Sequence, residues 1–210
     1  LLLDLILHDL HINLLNKNKT EFSSIFFNAG AHIQHHYFFN SKYFINKDIS
    51  NPEWYVKKKY DPILDMIIFY DQILFEYKKL NDYEIILATG LSQKPYDRTK
   101  YYYRLKNHDK FLKDLDINFA KVEPRMTRDF LITFKNDIEK NQAIKKLDEL
   151  NEINKKIIFT FESRNKSIFV TLSIQHEITK NEKILIDNHR KILIKDHVVF
   201  VALKNGMHDQ

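Results

Sequence analysis

Histidine occupies three of the five positions 32 to 36 in the stretch Phe26-Phe27-Asn28-Ala29-Gly30-Ala31-His32-Ile33-Gln34-His35-His36-Tyr37. His32 and His36 are four residues apart, so a helical turn carries both imidazoles on one face, from which two nitrogens can reach a single metal ion. The same spacing suits two rings that cap a turn or line a packed interface. No Glu adjoins the pair as it does in the zinc-protease helix, so both readings stay open. His35 could orient a neighbour or face solvent and has no assigned role.

The elements that would hold these residues follow from the flanking patterns. Residues 1–18 carry Leu and Ile among Asp4, His8, Asp9 and His11, as the tail of an amphipathic helix does, with His8 and His11 on its surface. Residues 22–28 are short, rich in Phe and Ile, and end in Ala29-Gly30. They predict a buried strand opening into a loop, which sets the histidines at the carboxyl end of a strand, where ligands gather in open α/β sheets. Residues 40–59 read as a connecting loop or a short helix. A helix is expected from Asp61-Pro62, with Asp as cap and Pro in the first turn, followed by Ile63, Leu64, Ile67, Ile68, Ile73 and Leu74 at helical spacing. Residues 84–90 form a second buried-strand candidate. Strand, helix and strand make a βαβ unit, so the expected fold is α/β: a mainly parallel sheet with helices on both faces.

From residue 125 the pattern changes. A strand near 128–134, a helix near 138–150 and a hairpin of strands 156–161 and 167–174 predict a small inserted α+β module. The expected division is 1–124 for the α/β domain, 125–180 for the module and 181–210 for a return to the α/β domain. In that last part an apolar strand over 197–203 delivers Asn205-Gly206-Met207-His208 to a loop.

Of 210 residues, 44% are hydrophobic, enough for a sizeable core. Three glycines and four prolines, with abundant Lys, Asn, Ile, Phe and Tyr, indicate an AT-rich coding bias, so Lys and Asn counts carry no functional weight. The net charge of +5, from 33 basic and 28 acidic residues, is spread along the chain without the basic block of a strong phosphate-backbone binder. Nucleic acid is therefore not the favoured partner. Tyr96, Tyr101, Tyr102 and Tyr103 alternate with Arg98, Lys100, Arg104 and Lys106 in a segment that suits base stacking or a tyrosine-rich packed surface. With no cysteine, disulfides and thiolate metal sites are excluded, and a metal here must bind His and carboxylates. No apolar run reaches the roughly 20 residues of a membrane span. The compartment is undetermined. Both ends fall in mid-pattern and are read as cuts in a longer protein.

The layout resembles the type I phosphodiesterase and nucleotide pyrophosphatase branch of the alkaline phosphatase superfamily. Ala31-His32-Ile33-Gln34-His35-His36-Tyr37 is similar to that family's Asp-x-x-x-His loop, with His32 on its Asp and His36 on its His. Residues 61–77 and 85–90 resemble its Asp-rich helix and following strand, and Gly206-Met207-His208 its late glycine-flanked His. The resemblance implies a hydrolase of phosphate or sulfate esters acting on a small phosphorylated or sulfated substrate, a divalent metal such as Zn²⁺ held by His32, His36 and His208, and a nucleophile upstream of Leu1. Ala88-Thr89-Gly90-Leu91 stands where the family has Ser-Asp-His-Gly, so the second metal site has lost its Asp and His. Arg125 and Arg128, flanking Met126-Thr127, are candidates to clamp an anionic substrate. The alternative is a catalytically inactive relative serving as a binding or assembly domain.

Overall fold

The computed structural model describes residues 1–46, 48–90 and 92–209. The chain divides into two compact units, residues 1–99 with 203–210 and residues 100–202.

The first unit opens with α1 (Leu2–Lys17), followed by α2 (Ala29–Tyr37), which runs into a short 3₁₀ turn at Phe38–Asn40, and α3 (Pro62–Tyr77). The Asp61 carboxylate accepts from the Leu64 amide at 3.0 Å and Pro62 takes the first helical position, the cap expected from the sequence. α1 is inverted relative to an ordinary surface helix. Its buried residues are Asp4, His8 and Leu15, while Leu2, Leu3, Ile6, Leu10 and Leu14 are exposed. Leu15, Ile73 and Tyr77 form a small core, with Ile12, Ile25, Phe27 and Phe69 packed against it.

The second unit contains α4 (His108–Asp114), β2 (Lys121–Pro124), β3 (Asp129–Thr133), α5 (Asp137–Ile153), β4 (Phe159–Arg164), β5 (Ser167–Leu172), β6 (Lys183–Leu185), β7 (Lys191–Leu193) and α6 (Ile194–His197). Two further strands, β1 (Gln93–Leu105) and β8 (Val198–His208), pair with each other, and each unit holds its own part of both. The four-stranded sheet has the order β2-β3-β5-β4 and is antiparallel throughout. Alternation sends Phe130, Ile132, Ile168, Val170 and Leu172 into a core shared with Ala143, Leu147 and Leu150 of α5. Residues 131, 133, 167, 169 and 171 stay partly exposed on the opposite face. Asn165 turns the β4–β5 hairpin with φ 47°, a left-handed conformation that Asn tolerates.

The expectation of a mainly parallel sheet with helices on both faces is overturned. The sheets are small and antiparallel. Residues 22–28 and 84–90, the two expected central strands, have no regular structure. Phe26 is 77% exposed and Ile86 is 83% exposed. A short apolar run has no period that separates a strand from other apolar segments, and without a neighbouring strand its amides have no ladder to join. The alternation that does matter lies in the tyrosine-rich segment: Tyr103 and Leu105 are buried in β1, with Tyr101 packed against the same core.

Candidate functional site

The histidine-rich stretch forms α2, a helix whose first turn is held from outside. The Ala29 amide donates to the Asp4 carboxylate at 3.0 Å, and the Gly30 amide donates to the Tyr70 hydroxyl at 2.8 Å. Tyr70 in turn donates to Asp4 at 2.7 Å. An acid at a helix start satisfies orphan amides and complements the helix dipole, which explains why Asp4 is buried to 2% exposure in an otherwise apolar setting. A Cβ at Gly30 would stand 3.0 Å from the Tyr70 ring, so the ring would have to yield by a few tenths of an ångström to admit one.

The last part of β8, residues 203–208, lies against α2. The backbones approach so closely that a Cβ on Gly206 would stand 2.7 Å from the Gln34 carbonyl oxygen. Two imidazoles fasten the contact. Nδ1 of His36 donates to the Leu203 carbonyl at 2.6 Å, and Nδ1 of His35 donates to the Gly206 carbonyl at 2.8 Å. Each ring is thereby set in one tautomer, with its remaining lone pair on Nε2. The Gln93 side-chain amide approaches Nε2 of His35 at 3.4 Å and also donates to the Ala31 carbonyl at 3.3 Å. Burial, reinforced by the positive charge of Lys204, holds the His36 imidazole down at about 4, and burial also lowers His35. Both rings are therefore neutral at pH 7.

A buried amide pair completes the join. Asn205 (0% exposed) and Asn51 exchange side-chain hydrogen bonds of 2.7 and 2.9 Å, and Asn51 also donates to Asn40 at 2.7 Å. The Phe39 amide donates to the same Asn205 oxygen at 3.3 Å. The coding bias that discounts the Asn count hides this pair in the sequence. The available signal was Asn205 itself, a residue depleted in strands yet set beside a glycine at the end of an apolar run.

His208 is brought to α2 across more than 170 positions of sequence, but its ring meets His35, at 5.0 Å and edge to face. His32 and His36 stack at 6.3 Å with their planes 14° apart. The expected trio of His32, His36 and His208 is therefore split between two ring pairs. Among the described residues no group of three or more His, Asp or Glu side chains is arranged to hold a metal ion. The donor chemistry of His35 and His36 suits Zn²⁺, but the pairing of His32 with His36 and of His208 with His35 does not fit a site built from His32, His36 and His208. Residues 88–90, in the place of the family's second ligand pair, have no regular structure, and Leu91 lies outside the described residues.

Arg125 and Arg128 belong to the second unit. The Arg128 guanidinium lies 4.3 Å over the Tyr102 ring. Arg125 lines a groove with Leu131, Arg164, Lys166 and Phe169, its guanidinium 4.0 Å from the Glu123 carboxylate. Compared with family models, curated proteins and solved structures, the chain matches none.

Proposed function

We propose that this chain is a non-catalytic binding or assembly domain in which the histidine cluster is a fastening between α2 and the end of β8. The observation behind the proposal is the use of Nδ1 of both His36 and His35 on β8 backbone carbonyls, beside the reciprocal Asn51–Asn205 pair. The leucines that α1 turns outward are apolar surface of the kind found at interaction sites. A second reading, the diverged metal-dependent ester hydrolase, is favoured by one feature: the fixed tautomers of His35 and His36 direct Nε2 lone pairs away from their backbone partners, as second-shell bonds do for zinc ligands.

One pair of measurements separates the two. For a fastening, His36→Ala lowers the melting temperature by several degrees, through a lost hydrogen bond and an unpaired carbonyl costing about 1–3 kcal/mol. Added Zn²⁺ leaves both melting temperatures unchanged, and the purified protein holds no stoichiometric metal. Zinc stabilisation of the wild type that disappears in His36→Ala, together with hydrolysis of a bis-nitrophenyl phosphate ester, establishes the hydrolase instead.

A further inference from the structure

The inward side of α1 is locked in place by polar contacts. The Asp4 carboxylate accepts from the Ala29 amide and the Tyr70 hydroxyl, His8 sits edge-on against the Tyr77 ring at 5.3 Å, and Leu15 belongs to the small core of the first unit. Rotating the helix to bury its leucines would strip the buried Asp4 of both donors. The outward leucines are therefore a fixed feature of the folded unit, and whatever covers them comes from outside it.

Leu2, Ile6, Leu10 and Leu14 recur at four-residue spacing and form one ridge along that side, with Leu3 beside it. The five side chains are 48% to 72% exposed. Together they present roughly 500 Å² of apolar surface, at the upper end of what a monomer leaves open in one patch. Two copies supply about 1,000 Å², the area at which a specific interface begins.

The spacing selects the partner. Leu2 and Leu14 stand equally far from the middle of α1, as do Ile6 and Leu10, so the ridge has the same pattern in both directions. A second α1 crossing it antiparallel sets Ile6 opposite Leu10 at the centre, with Leu2 and Leu14 flanking, and matching four-residue ridges seat in each other's grooves at about −50°. The helix ends diverge at that angle, which leaves the exposed Lys17 in water. A lipid surface fits less well. A helix lying on a membrane carries Lys and Arg on its polar side, whereas Lys17 is the single Lys or Arg of α1 and the side opposite the ridge is occupied by Asp4 and His8.

We infer that the leucine ridge of α1 is a dimer interface, an antiparallel two-fold contact between two copies of this chain with Ile6 and Leu10 at its centre. The inference rests on the assembly reading above and identifies the partner as a second copy.

The test is analytical ultracentrifugation of the full chain from about 1 to about 200 μM. The mass is expected to rise with concentration toward that of a dimer. Ile6→Glu and Leu10→Glu each place a charge in the contact and are expected to weaken dimerisation at least about 10-fold. Ile138→Glu, at an exposed apolar position outside α1, is expected to change it less than about twofold. Because Ile6 of one copy faces Leu10 of the other, mixing Ile6→Lys with Leu10→Glu is expected to restore a heterodimer. Circular dichroism of each variant confirms folding. The inference is overturned by a monomer at every concentration, by a dimer that both glutamate variants leave intact, or by a mixture of the two charge variants that stays monomeric. A monomer that binds phosphatidylcholine and phosphatidylglycerol vesicles through these leucines overturns it in favour of a lipid surface. The zinc and His36→Ala measurements still decide the assembly reading in each case, so the two fail separately.

Discussion

The imidazole of His36 spends Nδ1 on a backbone carbonyl and sits where burial disfavours its charge. This makes its role readable by pH. With the folded value lowered from 6.5 to about 4, the unfolded chain binds a proton more readily than the folded one between those limits. The stability contributed by neutral His36 is thus complete above about pH 6.5 and is lost as pH falls toward about 4. His35, His11, His108 and His197 are lowered too, chiefly by burial, and act in the same sense. Melting temperature followed from pH 7.5 to 4.5 is expected to fall, and His36→Asn, which does not titrate, to give a shallower decline. Parallel profiles for the two proteins would remove His36 as a contributor.

At the scale of elements, α2 is held at both ends by residues distant in sequence. Asp4 and Tyr70 satisfy its first amides, and β8 closes on its later turns through His35, His36 and the Asn205 amide. The close approach at Gly206 is the most sensitive point. An added methyl meets the Gln34 carbonyl at 2.7 Å and the Phe38 ring at 2.9 Å, and backbone cannot swing aside as a flexible side chain would. Gly206→Ala is expected to destabilise by about 1–3 kcal/mol, measured by urea unfolding, while Gly90→Ala, with nothing within 4 Å, serves as the near-neutral comparison.

For the whole molecule, the two units differ in how well they are filled. The second owns a continuous core running from Tyr103 to Val198, including Phe111, Phe130, Phe159 and Leu147. The first clusters Leu15, Ile73 and Tyr77 and leaves Leu2, Leu3, Phe22, Ile86 and Leu87 exposed. Residues 100–202 expressed alone are expected to fold cooperatively, with dispersed amide NMR signals and a single unfolding transition. A collapsed spectrum without dispersion would show that this core needs the rest of the chain.

Local physics made several parts of this protein legible from sequence. The Asp61-Pro62 start of α3 and the strand, helix and hairpin of β3, α5, β4 and β5 follow from caps, turn residues and repeats within a few positions, whereas the last strand, expected to end at Leu203 with a loop after it, continues to His208. The resemblance placed His208 with His32 and His36, whereas its ring lies against His35. What tertiary structure alone decided is which backbone finds a partner. Residues 22–28 and 84–90 have the composition of buried strands and remain irregular, whereas tyrosine-rich residues 93–105 form a strand because β8 pairs with them. Whether an imidazole faces a metal or a carbonyl is decided in the same way, by groups 170 residues away whose positions no local periodicity encodes.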